Sequence, residues 1–235
     1  MERREFLRIC SAGAAAAGGF AVPSSVAADA RAQRYQKALL VDGSGQALRS
    51  KAIPANRNLI FHYPYASTPC FLLNLGKPVK PSAQLKTVDN QAYEWRGGVG
   101  AARSVVAYSA ICAHQLTYPT RDISFISFRS EASARNRHAN VIHCCSEHSQ
   151  YDPAEGAKVV AGPAPQPLAA ILLEHDSKTD EIHAVGTLGG EMFNQFFAKY
   201  EFRLTLEGDS APRRPVQGRT VVVELENYCK QQVKC

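Results

Sequence analysis

Two short runs, Cys112-Ala113-His114 and Cys145-Ser146-Glu147-His148, decide how this chain folds around a site. Each run offers one thiolate and one imidazole, in the order cysteine then histidine. A [2Fe–2S] centre with mixed ligation needs this balanced set, because one iron takes two thiolates and the other takes two imidazoles. The runs therefore predict four metal ligands that bind one cofactor: Cys112, His114, Cys145 and His148.

The residues that follow the second run strengthen this interpretation. Tyr151-Asp152 and then Gly162-Pro163-Ala164-Pro165 lie downstream. Together with the two runs, they resemble a Rieske iron–sulfur protein of the exported branch, which includes the iron–sulfur subunits of bc complexes and the small subunits of arsenite-oxidase-like enzymes. The resemblance is close over residues 100–175 and loose elsewhere. It implies one [2Fe–2S] cluster, single-electron transfer, and histidines at an exposed tip of the domain.

The chain departs from the bc-type pattern within both runs. In that family each cluster loop carries an additional cysteine, and the two form a disulfide between the loops; here Thr117 and Glu147 stand at those positions. Neighbouring Cys144 also leaves the second thiolate open. The Cys-x2-His spacing of the family favours Cys145, whereas a rigid match to the downstream residues favours Cys144. We take Cys145 as the ligand and keep Cys144 as the alternative.

The resemblance also implies residues that tune the cluster. The hydroxyl groups of Ser149 and Tyr151 are candidates to donate hydrogen bonds to sulfur, which would raise the reduction potential. The proline-rich segment 162–168 resembles a loop that covers the cluster, and its prolines would hold that cover rigid. The nearby His138 and His143 are out of register with the ligands, and we expect both to face solvent.

A structural zinc site is the main alternative for the same four side chains. Zinc accepts two cysteines and two histidines, usually to close a small structural site. The usual zinc-finger pattern has both cysteines in one half and both histidines in the other, whereas each half of this motif has one of each. The spacing therefore favours iron and sulfur over zinc.

The N-terminus indicates export. Arg3-Arg4, followed by Phe6-Leu7 and Arg8, resembles a twin-arginine signal. A weakly apolar run of 14 residues, Ile9 to Val22, comes next and is short for a membrane span. Small residues near position 30 fit a cleavage site. We expect residues 1–30 to direct folded export to the periplasm and to be removed, with an uncleaved anchor as the alternative.

Hydrophobic patterning predicts the fold. Short apolar or alternating runs bounded by polar residues, glycine or proline are typical of strands. Such runs lie at 38–41, 58–61, 70–75, 104–108, 123–128, 141–144, 171–174, 182–185 and 220–225. Clean alternation predicts a further strand over Tyr200–Leu206, and an aromatic stripe predicts a helix over Gly190–Lys199. We predict an all-β, antiparallel Rieske-type sandwich with the cluster loops at one end and one short helix.

The predicted organisation has four parts. The signal segment at 1–30 precedes an N-terminal β extension at 31–100, a cluster-binding domain at 101–180, and a C-terminal helix and strands at 181–235 that complete the base. Seven cysteines are present. In an oxidising compartment Cys229 and Cys235 could close a small disulfide loop, and Cys70 has the apolar surroundings of a buried thiol.

These observations favour an exported electron carrier or accessory subunit over other classes. It would pass single electrons between a quinol or periplasmic oxidoreductase and a c-type cytochrome. A bc-type subunit is the alternative, and the leader argues against a cytoplasmic oxygenase. No catalytic constellation stands apart from the cluster motif, so whether the chain is itself an enzyme stays open. The net charge of +6 favours acidic partners, and no basic run indicates nucleic acid.

Overall fold

The computed structural model describes residues 31–133, 137–208 and 210–235, and the predicted export signal lies outside these residues. The described residues form sixteen strands and two α-helices. The strands are β1 (Gln33–Val41), β2 (Leu59–His62), β3 (Pro69–Asn74), β4 (Ala83–Lys86), β5 (Ala92–Trp95), β6 (Val105–Ser109), β7 (Ile123–Ser124), β8 (Ile126–Arg129), β9 (Val141–Cys144), β10 (Ser149–Asp152), β11 (Lys158–Ala161), β12 (Ala170–Asp176), β13 (Glu181–Leu188), β14 (Gly218–Val221), β15 (Val223–Glu224) and β16 (Gln231–Gln232). The helices are α1 (Phe193–Leu206) and α2 (Leu225–Tyr228).

Eight strands form one large sheet in the order β14-β1-β13-β12-β6-β3-β2-β15. Its pairs are antiparallel except for β1 with β14, which run parallel. The sheet curls until its two ends approach each other, and the Thr220 hydroxyl on β14 donates a hydrogen bond to the His62 carbonyl on β2 at 2.9 Å. The curl encloses an inner apolar core that includes Leu40, Phe61 and Ile182.

The strand β3 shows how the sheet separates two cores. Successive side chains of a strand point to opposite faces, so Cys70 and Leu72 enter the inner core while Phe71 and Leu73 enter an outer core. A smaller antiparallel sheet in the order β11-β10-β9-β8 contributes Ile142 to the outer core. This layering gives the all-β class that the sequence predicts, and that prediction is confirmed.

Three segments meet where the two sheets approach each other. Loop 1 (residues 110–118) follows β6, loop 2 (residues 145–148) joins β9 to β10, and the cover loop (residues 162–169) joins β11 to β12. The outer core contains Cys112 from the first and Leu168 from the third, together with Cys144 at the end of β9. The fold therefore brings Cys112 of the first run and Cys144, which directly precedes the second run, to one buried surface.

The helix α1 is longer than predicted, and the strand predicted over Tyr200–Leu206 is wrong. Helical spacing continues the aromatic stripe through Tyr200 to Leu204, and this stripe packs on loop 1. The period-two alternation of the sequence arises because apolar residues lie on both faces of the helix. Phe202 and Leu206 are on the solvent face, where they are 79% and 71% exposed. No strong helix breaker interrupts the segment, so helix packing overrides the period-two pattern.

The remaining predicted strands coincide with strands of the structure, although the run at 123–128 is divided between β7 and β8, and the run at 220–225 is divided between β14 and β15 and reaches the first residue of α2. The hairpin β4–β5 and the strands β10 and β11 were not predicted. Strands from the predicted parts 31–100, 101–180 and 181–235 share the large sheet. Neither described helix is long and apolar enough to cross a membrane.

The packing of α1 on loop 1 gives a stability prediction. Phe196 is fully buried and contacts the Tyr118 ring edge-on at a centroid distance of 4.9 Å. We expect Phe196→Ala to lower the free energy of unfolding by about 3–5 kcal/mol, because it leaves a cavity in a packed cluster. The matched control Phe202→Ala removes an exposed ring and should change it by less than about 0.5 kcal/mol. Urea denaturation measures both, and equal effects would contradict this packing.

Candidate metal centre

Loop 1 is built around the sulfur of Cys112. The Leu116 amide donates to the Cys112 carbonyl at 3.0 Å, and the Cys112 amide donates to the Thr117 carbonyl at 2.8 Å. Within this closed loop, the backbone N–H groups of His114 and Gln115 donate to the Cys112 sulfur. Donors aimed at a sulfur stabilise its charged form. The loop is therefore shaped to hold a thiolate.

Loop 2 surrounds the sulfur of Cys144 with backbone donors in the same way. It is the turn of the β9–β10 hairpin, in which Cys144 lies opposite Ser149. The backbone N–H groups of Ser146 and Glu147 donate to the Cys144 sulfur. The turn ends at His148, whose φ of 59° lies in the left-handed region. Each loop therefore surrounds its own cysteine sulfur with two amides, which is an arrangement suited to a pair of metal-bound thiolates.

The two sulfurs meet in the interior. Cys112 and Cys144 are both free and fully buried. The Cys144 thiol donates a hydrogen bond to the Cys112 sulfur, which lowers the pKa of Cys112 and raises that of Cys144. One thiolate therefore forms readily, while a second would face a like charge at close range. A cation between them removes this conflict, because a coordinated thiol is deprotonated.

Tyr151 completes the surroundings of Cys112. Its ring is fully buried, and its hydroxyl oxygen lies 3.2 Å from the Cys112 sulfur and 3.2 Å from the amide nitrogen of Ala113. The Ala113 amide donates to the phenol oxygen, which leaves the hydroxyl hydrogen for the sulfur. Burial, and then the negative charge of Cys112, raise the pKa of Tyr151. The protonated phenol thus donates to the sulfur, as expected from the sequence.

Two buried polar atoms at the site have no partner in the described part of the chain: Nδ1 of His114 and Oγ of Ser149. A buried polar group without a hydrogen bond costs about 1–3 kcal/mol. His114 lies in loop 1 and Ser149 begins β10 directly after loop 2, and each atom is chemically suited to a metal centre. An imidazole nitrogen binds iron or zinc, and a hydroxyl donates to a metal-bound sulfur. The donor set fits a metal–sulfur group.

His148, the histidine of loop 2, is exposed. Nearby His143 was predicted to face solvent, and it does not. His143 is fully buried, and its ring centroid lies 5.7 Å from that of His148. Burial, and then the positive charges of His148 and Arg129, lower the pKa of His143 to about 4. His138 is exposed, as predicted. The expectation for His143 was wrong because the face of β9 opposite the core is covered by the C-terminus.

Cys145, the predicted ligand, forms a disulfide with Cys235. A disulfide sulfur is not a thiolate, so the choice of Cys145 is wrong in this structure, and the alternative Cys144 is the free thiol of the pair. The structure also corrects the expected pairing of Cys229 with Cys235, since Cys229 is free and buried. Cys70 is a buried free thiol, as predicted.

Strand alternation contained the signal for Cys144. In β9, Ile142 and Cys144 share one face, and both belong to the outer core. Cys145 therefore belongs to the opposite face, with His143. The rigid register from Tyr151 pointed to the same cysteine. Only the spacing to His148 favoured Cys145. Cys144 is separated from His148 by three residues, which is one more than the family spacing has.

The cover loop is fastened at both sides of the site. The side chain of buried Gln166 donates to the Gly190 carbonyl at 2.8 Å and accepts from the Val88 amide at 2.9 Å. At the other end, Gly162 has a φ of 84°. A Cβ there would lie 2.4 Å from the His148 carbonyl oxygen and 2.5 Å from the Ser149 Cα. Glycine is therefore needed for the cover to touch loop 2.

Comparison with known proteins gives a limited result. No protein-family model matches the chain. Among solved structures, it is similar to the soluble domain of the Rieske protein II (soxF) from Sulfolobus acidocaldarius, with 26% sequence identity and a TM-score of 0.45. The match covers 65% of this chain and 78% of the other.

The close contact of Gly162 with the backbone of His148 and Ser149 can be tested by adding one methyl group. Gly162→Ala and Gly218→Ala both place alanine at a positive φ, which costs about 1–2 kcal/mol. Nothing lies within 4 Å of a Cβ at Gly218, so that variant isolates the backbone cost. We expect Gly162→Ala to lower the free energy of unfolding by about 1–3 kcal/mol more than the control, because the methyl group collides with backbone. Equal losses in chemical denaturation would contradict the contact.

Proposed function

We propose that this chain is a Rieske-type iron–sulfur protein that transfers single electrons, in which Cys112 and Cys144 hold one iron and His114 and His148 hold the other. One observation carries the proposal: two free, fully buried thiols from different loops share a hydrogen bond, and each accepts two backbone N–H groups. The unpartnered Nδ1 of His114 supports an imidazole ligand beside them.

When bound, a cluster with this ligand set supplies a one-electron carrier with a potential between about −150 and +300 mV. The chain's own residues decide the position in that range. The phenol of Tyr151 donates to the Cys112 sulfur, and this donation favours the more negative, reduced state. The hydroxyl of Ser149, which is buried opposite Cys144 and has no partner in the described part of the chain, would be a second donor to a metal-bound sulfur. Two such donors support a potential towards the upper end.

The exposure of the two histidines supports electron transfer at the tip. His148 is exposed and His114 is half-buried, whereas both cysteines are fully buried. An electron-transfer partner that contacts loop 2 would therefore meet an imidazole first. The buried side, closed by the cover loop, excludes water from the sulfurs and keeps their hydrogen bonds strong.

The proposed location is the periplasm, reached in folded form by the twin-arginine route. The run at Arg3-Arg4 supports this route, and the disulfide between Cys145 and Cys235 supports an oxidising compartment, since disulfides are rare in the cytosol. The proposed partners are a quinol or a periplasmic oxidoreductase as donor and a c-type cytochrome as acceptor. Thr117 and Glu147 at the positions of the loop-bridging disulfide favour a carrier or accessory subunit over a bc-type subunit.

An electron paramagnetic resonance spectrum of the purified full chain tests the function. We expect about two irons per chain and a rhombic signal that appears already with ascorbate. A signal that appears only with dithionite would keep the cluster but overturn the high-potential assignment and its partners. Zinc without any signal would overturn the electron-transfer function and establish the structural zinc site instead.

The assignment of Cys144 gives a second prediction. We expect Cys144→Ser to purify with almost no iron, because one of two thiolates is lost. The matched control Cys229→Ala removes another buried free thiol, whose sulfur donates to the Leu225 carbonyl, and it should keep its iron. Metal analysis of both proteins decides the question. Full iron content in Cys144→Ser would exclude this cysteine as a ligand.

The hydrogen bond from Tyr151 gives a third prediction. We expect Tyr151→Phe to keep the cluster and to lower its potential by about 60 mV, which is a tenfold change for a one-electron couple and matches a hydrogen bond worth about 1.4 kcal/mol. Tyr108→Phe is the control, because the Tyr108 hydroxyl is equally buried but donates to the Pro153 carbonyl at 2.7 Å. Protein-film voltammetry measures both variants. An unchanged potential in Tyr151→Phe, or an equal shift in the control, would contradict the assigned role.

A further inference from the structure

The C-terminal strap (Lys230–Cys235) runs along the segment that leads into the small sheet. Its strand β16 pairs in parallel with β7, with Gln231 opposite Ile123. The Val233 amide donates to the Ser124 carbonyl at 2.9 Å, and the Arg129 guanidinium donates to the Val233 carbonyl. The strap is therefore held along its length by hydrogen bonds, before its last residue is reached.

The strap ends in a covalent bond to the site. Cys235 forms its disulfide with Cys145, 90 residues away, at a Cα–Cα distance of 5.7 Å. Cys145 directly follows Cys144, and its amide donates to the Phe125 carbonyl at 2.6 Å. The covalent anchor thus lies one residue from a proposed ligand and at the first position of loop 2.

The strap also covers the face of β9 that carries His143. The Cys235 sulfur lies 3.5 Å from Nδ1 of buried His143. Ligand atoms of His143, His148 and Cys235 all lie within 4.8 Å of one another. The proposed ligand His148 therefore rests on a surface made by a buried imidazole and the disulfide.

Because Cys144 and Cys145 are adjacent, the register of β9 decides which of the two thiols lies opposite Cys112. A slip of one residue in a strand turns every side chain to the other face of the sheet. In β9 a slip would replace Cys144 by Cys145 opposite Cys112. The slipped register would also give the shorter spacing to His148 that is usual in the resembled family. Two arrangements of the hairpin could therefore offer a thiolate to the same site.

We propose that the Cys145–Cys235 disulfide and the C-terminal strap are positioning elements that fix the register of loop 2. The disulfide removes Cys145 from the available thiolates, so that Cys144 alone can be the ligand. It also ties the base of the turn that presents His148. This inference rests on the proposed function for the identity of the ligands, but the register itself is a property of the polypeptide.

Three variants of the full chain separate the two effects of the disulfide. Cys235→Ser frees the Cys145 thiol and releases the strap. The double variant Cys145→Ser with Cys235→Ser releases the strap but leaves no competing thiol. Lys234→Ala, at an exposed strap position, keeps the disulfide and is the matched control. Circular dichroism first establishes that each variant is folded.

Two measurements on these proteins need no electron-transfer activity. Peptide mapping by mass spectrometry of the wild type should find Cys145 joined to Cys235. Hydrogen exchange of the amides at 144–149 should be about tenfold faster or more in both strap-releasing variants, because loss of a disulfide favours local opening. A free Cys145 in the oxidised wild type, or unchanged exchange in the variants, would overturn the proposal.

The metal-loaded proteins test ligand selection. We expect both strap-releasing variants to lose iron about 10–100 times faster than Lys234→Ala, as is typical when groups that support metal ligands are removed. Only Cys235→Ser should show two overlapping paramagnetic signals, since only it offers two thiols. A single signal in Cys235→Ser identical to the wild type, with unchanged iron loss, would overturn the proposal.

The two proposals fail in different ways. If the wild type contains no cluster, the proposed function fails, while the disulfide map and the exchange rates still decide whether the strap fixes loop 2. If the wild type contains the cluster and the strap-releasing variants match it, the function stands and the positioning role is wrong. Should either variant not fold, selective reduction of the wild-type disulfide with a phosphine, followed by alkylation and the same exchange measurement, decides the outcome.

Discussion

The meeting of two buried sulfurs from different loops is the constraint on which the rest of the structure depends. Cys112 and Cys144 share a hydrogen bond in the interior, and each sulfur also accepts two backbone N–H groups from the loop that follows it. The surrounding elements support this pair of sulfurs by packing around the two loops. Helix α1 packs on loop 1, the small sheet carries loop 2, and the cover loop approaches so closely that only glycine fits at 162.

Features encoded in local patterns could be predicted from the sequence. Strand periodicity gave most of the two sheets, and the strands that lead into the loops were placed correctly because their apolar runs are short and sharply bounded. The contact between Tyr151 and the Cys112 sulfur was expected from the family resemblance and not from periodicity, since Tyr151 lies within β10, a strand that periodicity did not predict. The all-β class follows from strand periodicity.

Features that depend on distant contacts could not be predicted. The spacing to His148 favoured Cys145 as a ligand, whereas its pairing with Cys235 removes it as a thiolate. That pairing joins residues far apart in the chain, so nothing near Cys145 announces it. The same strap contacts buried His143, which was expected in solvent because it is out of register with the predicted ligands. The part of helix α1 beyond Lys199 was not predicted, because the exposed Phe202 gives this segment the alternating pattern of a strand. Only the packing on loop 1 distinguishes the helical period from the strand period.

The central claim is that two thiolates and two imidazoles from these loops hold one cluster, and pulsed paramagnetic resonance tests it most directly. The full chain would be produced with ¹⁵N-labelled histidine and reduced with ascorbate. The account predicts couplings from two inequivalent histidine nitrogens, with one coupling lost in His114→Gln and the other in His148→Gln. A paramagnetic centre without any histidine nitrogen coupling, or one whose couplings survive both substitutions, would contradict it.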